Sequence, residues 1–320
     1  MRAIVIREAG GADVLELRDV PDPAAGDGQV RVSVEAIGVN FRDVYERNGG
    51  YGTELPAVAG AEGAGTVVEV GPRVEDVSIG DRVAWSSVAA SYAEQVVADA
   101  ARVVRVPDGV SSELAAAVLL QGMTAQYLIT DTFPVAAGDL VVVHAAAGGV
   151  GRLLTQLAKL RGGVVVATAS TEEKRQQARA LGADHAIPYE GFADAVRGLT
   201  DGEGAAAVYD GVGQATFDES LRAVRTRGTM VLYGAASGPV EPFDPRRLEH
   251  EGSLFLTRPS LRHYTATREE LRRRAGEVFA LVGGGRLHVE IGGRYPLADA
   301  RRAHEDLESR RSSGKLLLIP

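Results

Sequence analysis

The chain has 320 residues, 45% hydrophobic and 24% charged, with a formal charge of -8 and a pI near 5.4, enough for two medium domains with a sizeable core. It contains no cysteine, which excludes disulfides, thiolate nucleophiles and thiolate zinc sites, and its acidic balance disfavours nucleic acid and anionic lipid as partners. No apolar run approaches the roughly 20 residues of a membrane helix, and the amino terminus MRAIVIREAG lacks a signal sequence, so a cytoplasmic location is expected.

Over the first 110 residues the runs MRAIVI, VRVSVEAIGV, GTVVEVG, DRVAW and YAEQVVA are short, β-rich and separated by glycine, proline and aspartate. They predict a partly antiparallel barrel or sandwich with no helix-strand alternation. SSELAAAVLLQGMTAQYLI then predicts a helix of about five turns, with a serine at its start as the N-cap candidate. Beyond it strand and helix alternate. Strands are expected at LVVVHA (140 to 145), VVVATA (164 to 169), HAIPY, AAVYD (206 to 210) and TMVLYG (229 to 234), with helices from Val150, from Thr171 and near Phe192 and Phe217. Val-rich strands between amphipathic helices mark a parallel sheet covered on both faces. A strand SLFLT, a polar helix TREELRRRAGEVFALV and a last strand KLLLI follow, and these late segments can return to the first domain.

The segment HAAAGGVG at 144 to 151 stands between a buried strand and a helix whose apolar residues Val150, Leu153, Leu154, Leu157 and Leu160 keep helical spacing. It nearly spells the dinucleotide fingerprint G-x-G-x-x-G, with Ala146, Gly148 and Gly151 at the three glycine positions. Gly148 lets the backbone approach a pyrophosphate, the first N-H groups of the helix point at its oxygens, and Gly151 lets the helix pack on the strand. Ala146 is harmless if its backbone is not left-handed. The alternative is a strand-to-helix turn with glycine for sterics alone.

An NAD site places an Asp or Glu about 20 residues past such a loop. Here the strand ends Ala167, Thr168, Ala169, Ser170, and the next turn offers Lys174 and Arg175, which favours the 2′-phosphate of NADP. Against this, Ser170 and Glu173 can form a capping box on a solvated helix, and Glu172 and Glu173 would repel a phosphate.

HAAAGGVG, NFRDVYERNG (40 to 49), GAEGAG (60 to 65), YDGVG (209 to 213), TRPSL (257 to 261) and LESRRSSGKLLLIP (307 to 320) together resemble the zeta-crystallin-like quinone oxidoreductases among the medium-chain dehydrogenases/reductases. The resemblance runs from end to end. It implies an α/β chain in which a Rossmann doubly wound parallel sheet (123-261) is inserted in a GroES-like, mainly β catalytic domain (1-122 and 262-320), with NADPH in the cleft between them and a homodimer as the assembly. Zinc-using relatives carry G-H-E-x-x-G, whereas this chain has Ala61 at the histidine position. No metal is therefore expected, and Glu62 is left a structural hydrogen-bonding role.

The implied reaction is hydride transfer from NADPH to a quinone or conjugated carbonyl, with the protein supplying alignment, a dry pocket and at most one proton donor. The resemblance places Asn40, Phe41, Asp43 and Tyr45 beside the nicotinamide and Tyr51 near the mouth, with Asn40 or Tyr45 bonding the acceptor oxygen. Each has another reading: Asn40 satisfies turn backbone, Asp43 caps a helix, Tyr45 is a half-buried aromatic. Cofactor contacts are implied for Thr124, for the loop Gly148, Gly149 and Val150, and for Ser170, Lys174 and Tyr189. Gly213, Ala235 and Ser237 lie under the nicotinamide half, and Arg310 and Lys315 close the adenosine end. His144, ending a buried strand, reads as a hydrogen-bonded structural residue. Arg258 follows an edge strand that a second subunit would cover, at the interface or the substrate entrance. Two alternatives to a quinone reductase stand: an NADPH-dependent enone or alkenal reductase, and a non-catalytic NADPH-binding protein that contacts RNA.

Overall fold

The computed structural model describes residues 1–50, 52–309 and 312–320. They form two compact units, Met1–Met123 with Thr265–Pro320, and Thr124–Tyr264; the sequence reading put the breaks at 122/123 and 261/262.

The first unit begins with β1 Arg2–Ile6, β2 Glu16–Asp19, β3 Gln29–Val39 and α1 Phe41–Arg47. It continues through β4 Ala57–Val58, β5 Gly63–Val70, β6 Arg82–Trp85, β7 Gln95–Asp99 and β8 Val104–Arg105 into the helix α2 Ser112–Tyr127, which runs past Met123, the last residue of this segment of the unit. β3 organises it. Val30, Val32 and Val34 are buried while Arg31 and Ser33 are half-exposed, the period-2 alternation of a strand with one face on a core. α2 starts where Ser111 Oγ accepts the Leu114 N-H at 3.2 Å, as expected of a serine N-cap. The helix α1 enters the sequence reading only as the one that Asp43 would cap, not as a predicted element. It has only seven residues, too few for an apolar period to show, and its start is fixed by Asp43, whose Oδ2 accepts the Asn40 N-H while the Asp43 N-H returns to Asn40 O.

In the second unit β9 Leu140–Val143, α3 Gly149–Leu160, β10 Val164–Thr168, α4 Glu172–Ala180, β11 His185–Ile187 and α5 Phe192–Gly198 alternate. β12 Ala205–Asp210, α6 Phe217–Ala223, β13 Val224–Leu232, α7 Arg246–His250, β14 Phe255–Thr257 and α8 Leu261–Tyr264 complete it. The six strands are all parallel, in the order β11-β10-β9-β12-β13-β14. Counted from β9 this is 3-2-1-4-5-6, a doubly wound sheet whose order reverses between β9 and β12, and ligands of such sheets bind past the carboxyl ends of the strands at that reversal. Val142, Val166, Val208 and Met230 from the strands pack with Phe192, Phe217 and Leu221 from the helices, each such burial contributing about 1.5–3 kcal/mol. Leu153, Leu154 and Leu157 of α3 are buried, but Leu160 is 43% exposed, so the apolar stripe stops a turn earlier than expected.

α9 Arg268–Gly283, β15 Ile291–Pro296, α10 Ala300–Glu308 and β16 Lys315–Ile319 return to the first unit, where β16 pairs antiparallel with β3. The resulting seven-stranded sheet and a three-stranded sheet β2-β1-β4 enclose a core that includes Ile4, Val32, Ile37, Trp85, Tyr92 and Leu316. Among the described residues no helix is long and apolar enough to cross a membrane.

Candidate functional site

The second unit places HAAAGGVG at the carboxyl end of β9, at the reversal point. The turn takes its left-handed residue at Ala145, φ 50°; Ala146 is not left-handed, so the missing first glycine is harmless. Gly148 is the N-cap of α3, with extended backbone and no side-chain cap, which leaves the first N-H groups of α3, at Gly149 and Val150, pointing out of the helix end. A Cβ on Gly151 would stand 2.9 Å from both Ala145 C and Ala146 Cα, so this glycine holds helix and turn in contact. These features fit a pyrophosphate cradle. Tyr189 Oη accepts the Ala145 N-H at 3.0 Å, tying the segment after β11 to the same turn.

β10 ends without a carboxylate, with Ser170 exposed. The helix cap is Thr171, which accepts the Lys174 N-H at 3.2 Å, so the expected Ser170–Glu173 capping box is displaced by one residue and the Ser170 hydroxyl stays outside it. Glu172 is drawn to Arg175 and Arg179, whose guanidinium groups hold its carboxyl below the usual range. His144 is structural as expected: it is buried, 2.7 Å from Thr168 Oγ1 and 2.9 Å from Ser220 Oγ, and burial lowers its pKa.

Asp210 is a residue the sequence reading passed over. Its carboxylate, at the end of β12, accepts the N-H groups of Val212 and Gly213 and the hydroxyls of Thr216 and Ser220. It thereby shapes the turn at Gly213, φ 90°, where a Cβ would meet Gly238 O and Ala235 Cα. A strand ending in aspartate ahead of G-V-G was the available signal. Ser237 Oγ donates to Val212 O and accepts the Ala215 N-H, so this hydroxyl braces the loop.

In the first unit the expectations for Lys315 and Asn40 are corrected. Lys315, expected at the adenosine end, is buried: its Nζ lies 2.6 Å from Glu62 Oε2 and 2.7 Å from Asn40 Oδ1, with side-chain exposures of 1% for Lys315 and 0% for Glu62. Asn40, expected to bond the acceptor oxygen, is 3% exposed, and its Nδ2 gives its two hydrogens to Glu62 Oε2 at 2.8 Å and Gly38 O at 3.2 Å. Lysine only donates and carboxylate only accepts, which fixes the orientation of this carboxamide and leaves no donor for a substrate. Asp43, expected beside the nicotinamide, is buried as the α1 cap, its Oδ2 accepting the Asn40 N-H and the Tyr92 hydroxyl, both at 2.9 Å. Its Oδ1 is buried without a partner, and burial pushes the carboxyl up to about 6.

Phe41 and Tyr45 of α1 are half-buried, their ring centroids 6.4 Å apart, and Thr124 is buried within α2. Tyr51 and Arg310 lie outside the described residues. Glu62 has the expected structural role and a wider one, since its Oε1 also accepts the Leu120 N-H inside α2 at 2.6 Å. With Glu62 paired to Lys315 and alanine at 61, the donor set does not fit a catalytic zinc ion; among the described residues no group of three or more potential ligands assembles.

Residues 26–132 match the alcohol dehydrogenase GroES-like domain model, and residues 149–279 match the zinc-binding dehydrogenase model. A quinone oxidoreductase of Pseudomonas aeruginosa is 43% identical over 315 residues, 97% of each chain. A 2-haloacrylate reductase of a Burkholderia species is 39% identical over 99% of this chain and 98% of its own. A mycobacterial protein solved in complex with NADPH superposes with a TM-score of 0.98 at 50% identity, over all of both chains. By these matches, and by its inserted doubly wound sheet, the chain belongs to the zeta-crystallin-like quinone oxidoreductases of the medium-chain dehydrogenase/reductase family.

Proposed function

We propose that the chain is a zinc-independent, NADPH-dependent reductase of quinones. The observation that carries this reading is the bare-amide turn at the reversal point of the sheet, followed by a strand end with Ser170 and Lys174 where an NAD site would hold an acid. The relatives named above support it: one is a quinone oxidoreductase, another was solved with NADPH. When bound, NADPH supplies the hydride. The protein's share is to hold the pyrophosphate on the N-H groups of Gly149 and Val150, to neutralise the 2′-phosphate with Lys174 beside Ser170, and to keep the loop of Gly213, Ala235 and Ser237 in shape. With the Asn40 carboxamide fully engaged, Tyr45 is the donor on α1 assigned to the acceptor oxygen as negative charge develops there.

The test is NADPH against NADH oxidation with a panel of quinones, enones and 2-haloacrylate. NADPH and quinone should win, and Lys174→Ala should erode the preference for NADPH about tenfold or more, one charge-assisted hydrogen bond's worth. Equal use of NADH by the unaltered enzyme would sink the cofactor assignment. The Burkholderia relative supports reduction of a carbon-carbon double bond as the second reading, and Tyr45→Phe separates the two. Quinone turnover should fall about two- to tenfold, for one lost neutral hydrogen bond, whereas a reaction that protonates carbon should fall about 10²–10⁴-fold.

A cytoplasmic homodimer belongs to the same proposal. β14 stands at one edge of the sheet with Phe255 64% exposed, an edge that a second copy would cover. Arg258, just beyond it, is bonded to Leu232 O at 3.0 Å. Light scattering should report twice the chain mass; a monomer at assay concentration would refute the assembly.

A further inference from the structure

We propose that His304 in α10 is a positioning residue for Tyr45, holding both ends of the helix α1 through its two ring nitrogens. The inference rests on the reading of Tyr45 as the donor to the acceptor oxygen. His304 is buried, with Nε2 3.0 Å from Tyr92 Oη and Nδ1 3.1 Å from Arg47 Nη1. Tyr92 Oη in turn lies 2.9 Å from Asp43 Oδ2. Asp43 is in the first turn of α1 and Arg47 is its last residue, and Tyr45 lies between them.

The donor directions are forced. Tyr92 has one proton, which goes to the Asp43 carboxylate, so His304 Nε2-H must donate to the Tyr92 oxygen. Arg47 can only donate, so Nδ1 must be a bare lone pair. One neutral tautomer satisfies both contacts, and an imidazolium would aim its second N-H at a guanidinium. Burial first, and the Arg47 cation second, accordingly hold the imidazole down at about 3. The chain ends at the surface side of α10, where Arg47 pairs with Glu308 at 2.9 and 3.0 Å. Arg47 Nε also donates to Gly10 O at 3.0 Å.

A clamp matters because a seven-residue helix does not hold itself in water; its position is set by what grips it. Asp43 and Arg47 are gripped from the same ring, and the ring also packs edge-on against Tyr92, with centroids 5.8 Å apart at 83°. Loss of the clamp leaves the Tyr45 hydroxyl present but misplaced, and misplacement is felt in turnover more than in cofactor binding.

His304→Phe keeps an aromatic ring and removes both of its bonds, while Tyr92→Phe removes the hydroxyl that joins His304 Nε2 to Asp43 and leaves the bond to Arg47. Val77→Ala, in the core of the same unit, controls for general destabilisation. Either clamp variant should lower kcat with a quinone by about as much as Tyr45→Phe, two- to tenfold, with the dissociation constant for NADPH unchanged. Combined with Tyr45→Phe, neither should lower kcat further, because the hydroxyl it positions is gone. Hydrogen exchange at residues 41–47 should accelerate in the clamp variants and not in Val77→Ala. Imidazole ¹⁵N shifts of the unaltered protein should show Nε2 protonated and Nδ1 bare. Losses that multiply, unchanged exchange in α1, or a proton on Nδ1 would each overturn the proposal. If the unaltered protein reduces no acceptor at all, the proposed function falls, while exchange and ¹⁵N shifts still decide whether His304 holds α1.

Discussion

Lys315→Met is expected to destabilise the first unit by about 3–5 kcal/mol, the penalty for leaving a buried carboxylate without its counter-charge. Glu62 accepts from Lys315 Nζ, Asn40 Nδ2 and the Leu120 amide, and at 0% exposure no water can replace the ammonium. The loss spreads through three elements, because these bonds join β16 to the end of β3 and to α2. Gly38 shows how tightly the place is filled: a Cβ there would run into the Glu62 carboxylate and the Ala116 carbonyl. Removing both charges, as Glu62→Gln with Lys315→Met, should recover much of the loss, since the uncompensated charge is then gone. Trp85 is the single tryptophan, buried in this unit and bonded to Ser91 Oγ at 2.8 Å, so its fluorescence in urea gives the unfolding midpoints directly. A wild-type midpoint for Lys315→Met, or a double variant no better than the single one, would contradict this account.

The same cluster shows where sequence reading stops. β9 to β13 were legible because continuous buried Val and Ala runs alternate with amphipathic helices, a pattern written within short windows. His144 was read correctly for the same reason, as a polar residue ending such a run. For Lys315 the adenosine end is implied by the resemblance alone; its partner Glu62 is 253 residues away, and nothing local in KLLLI announces a burial of that kind. Tyr92 and His304 are 212 residues apart and carry no motif. For Asn40 and Asp43 the resemblance indicated a neighbourhood without saying which atoms were already bonded, and the hydrogen-bond inventory removes Asn40 from the list of donors. Long-range pairing, more than secondary structure, separates the two views.

Gly151→Ala should cripple cofactor binding and loosen the second unit, although alanine is the better helix former. The added Cβ would meet Ala145 C and Ala146 Cα at 2.9 Å, and Ala145 O closer still; all are backbone atoms, so α3 itself must move away from β9. Ala145 is already in a left-handed conformation and has little freedom to yield. Forced overpacking of this kind costs about 1–3 kcal/mol, and it also turns the N-H groups of Gly149 and Val150 from their common target. Gly148→Ala is the informative contrast. Its backbone is extended and not left-handed, and a Cβ there comes no nearer than 3.1 Å, to Ala145 O. The fold should therefore hold to within about 1 kcal/mol while the methyl group stands where a pyrophosphate would approach. Thermal unfolding and NADPH fluorescence titration separate the cases: Gly151→Ala should lose stability and at least about tenfold in affinity, equivalent to 1.4 kcal/mol, and Gly148→Ala should lose affinity alone. Retention of wild-type affinity by Gly151→Ala would show that the α3 amino terminus does not hold the cofactor.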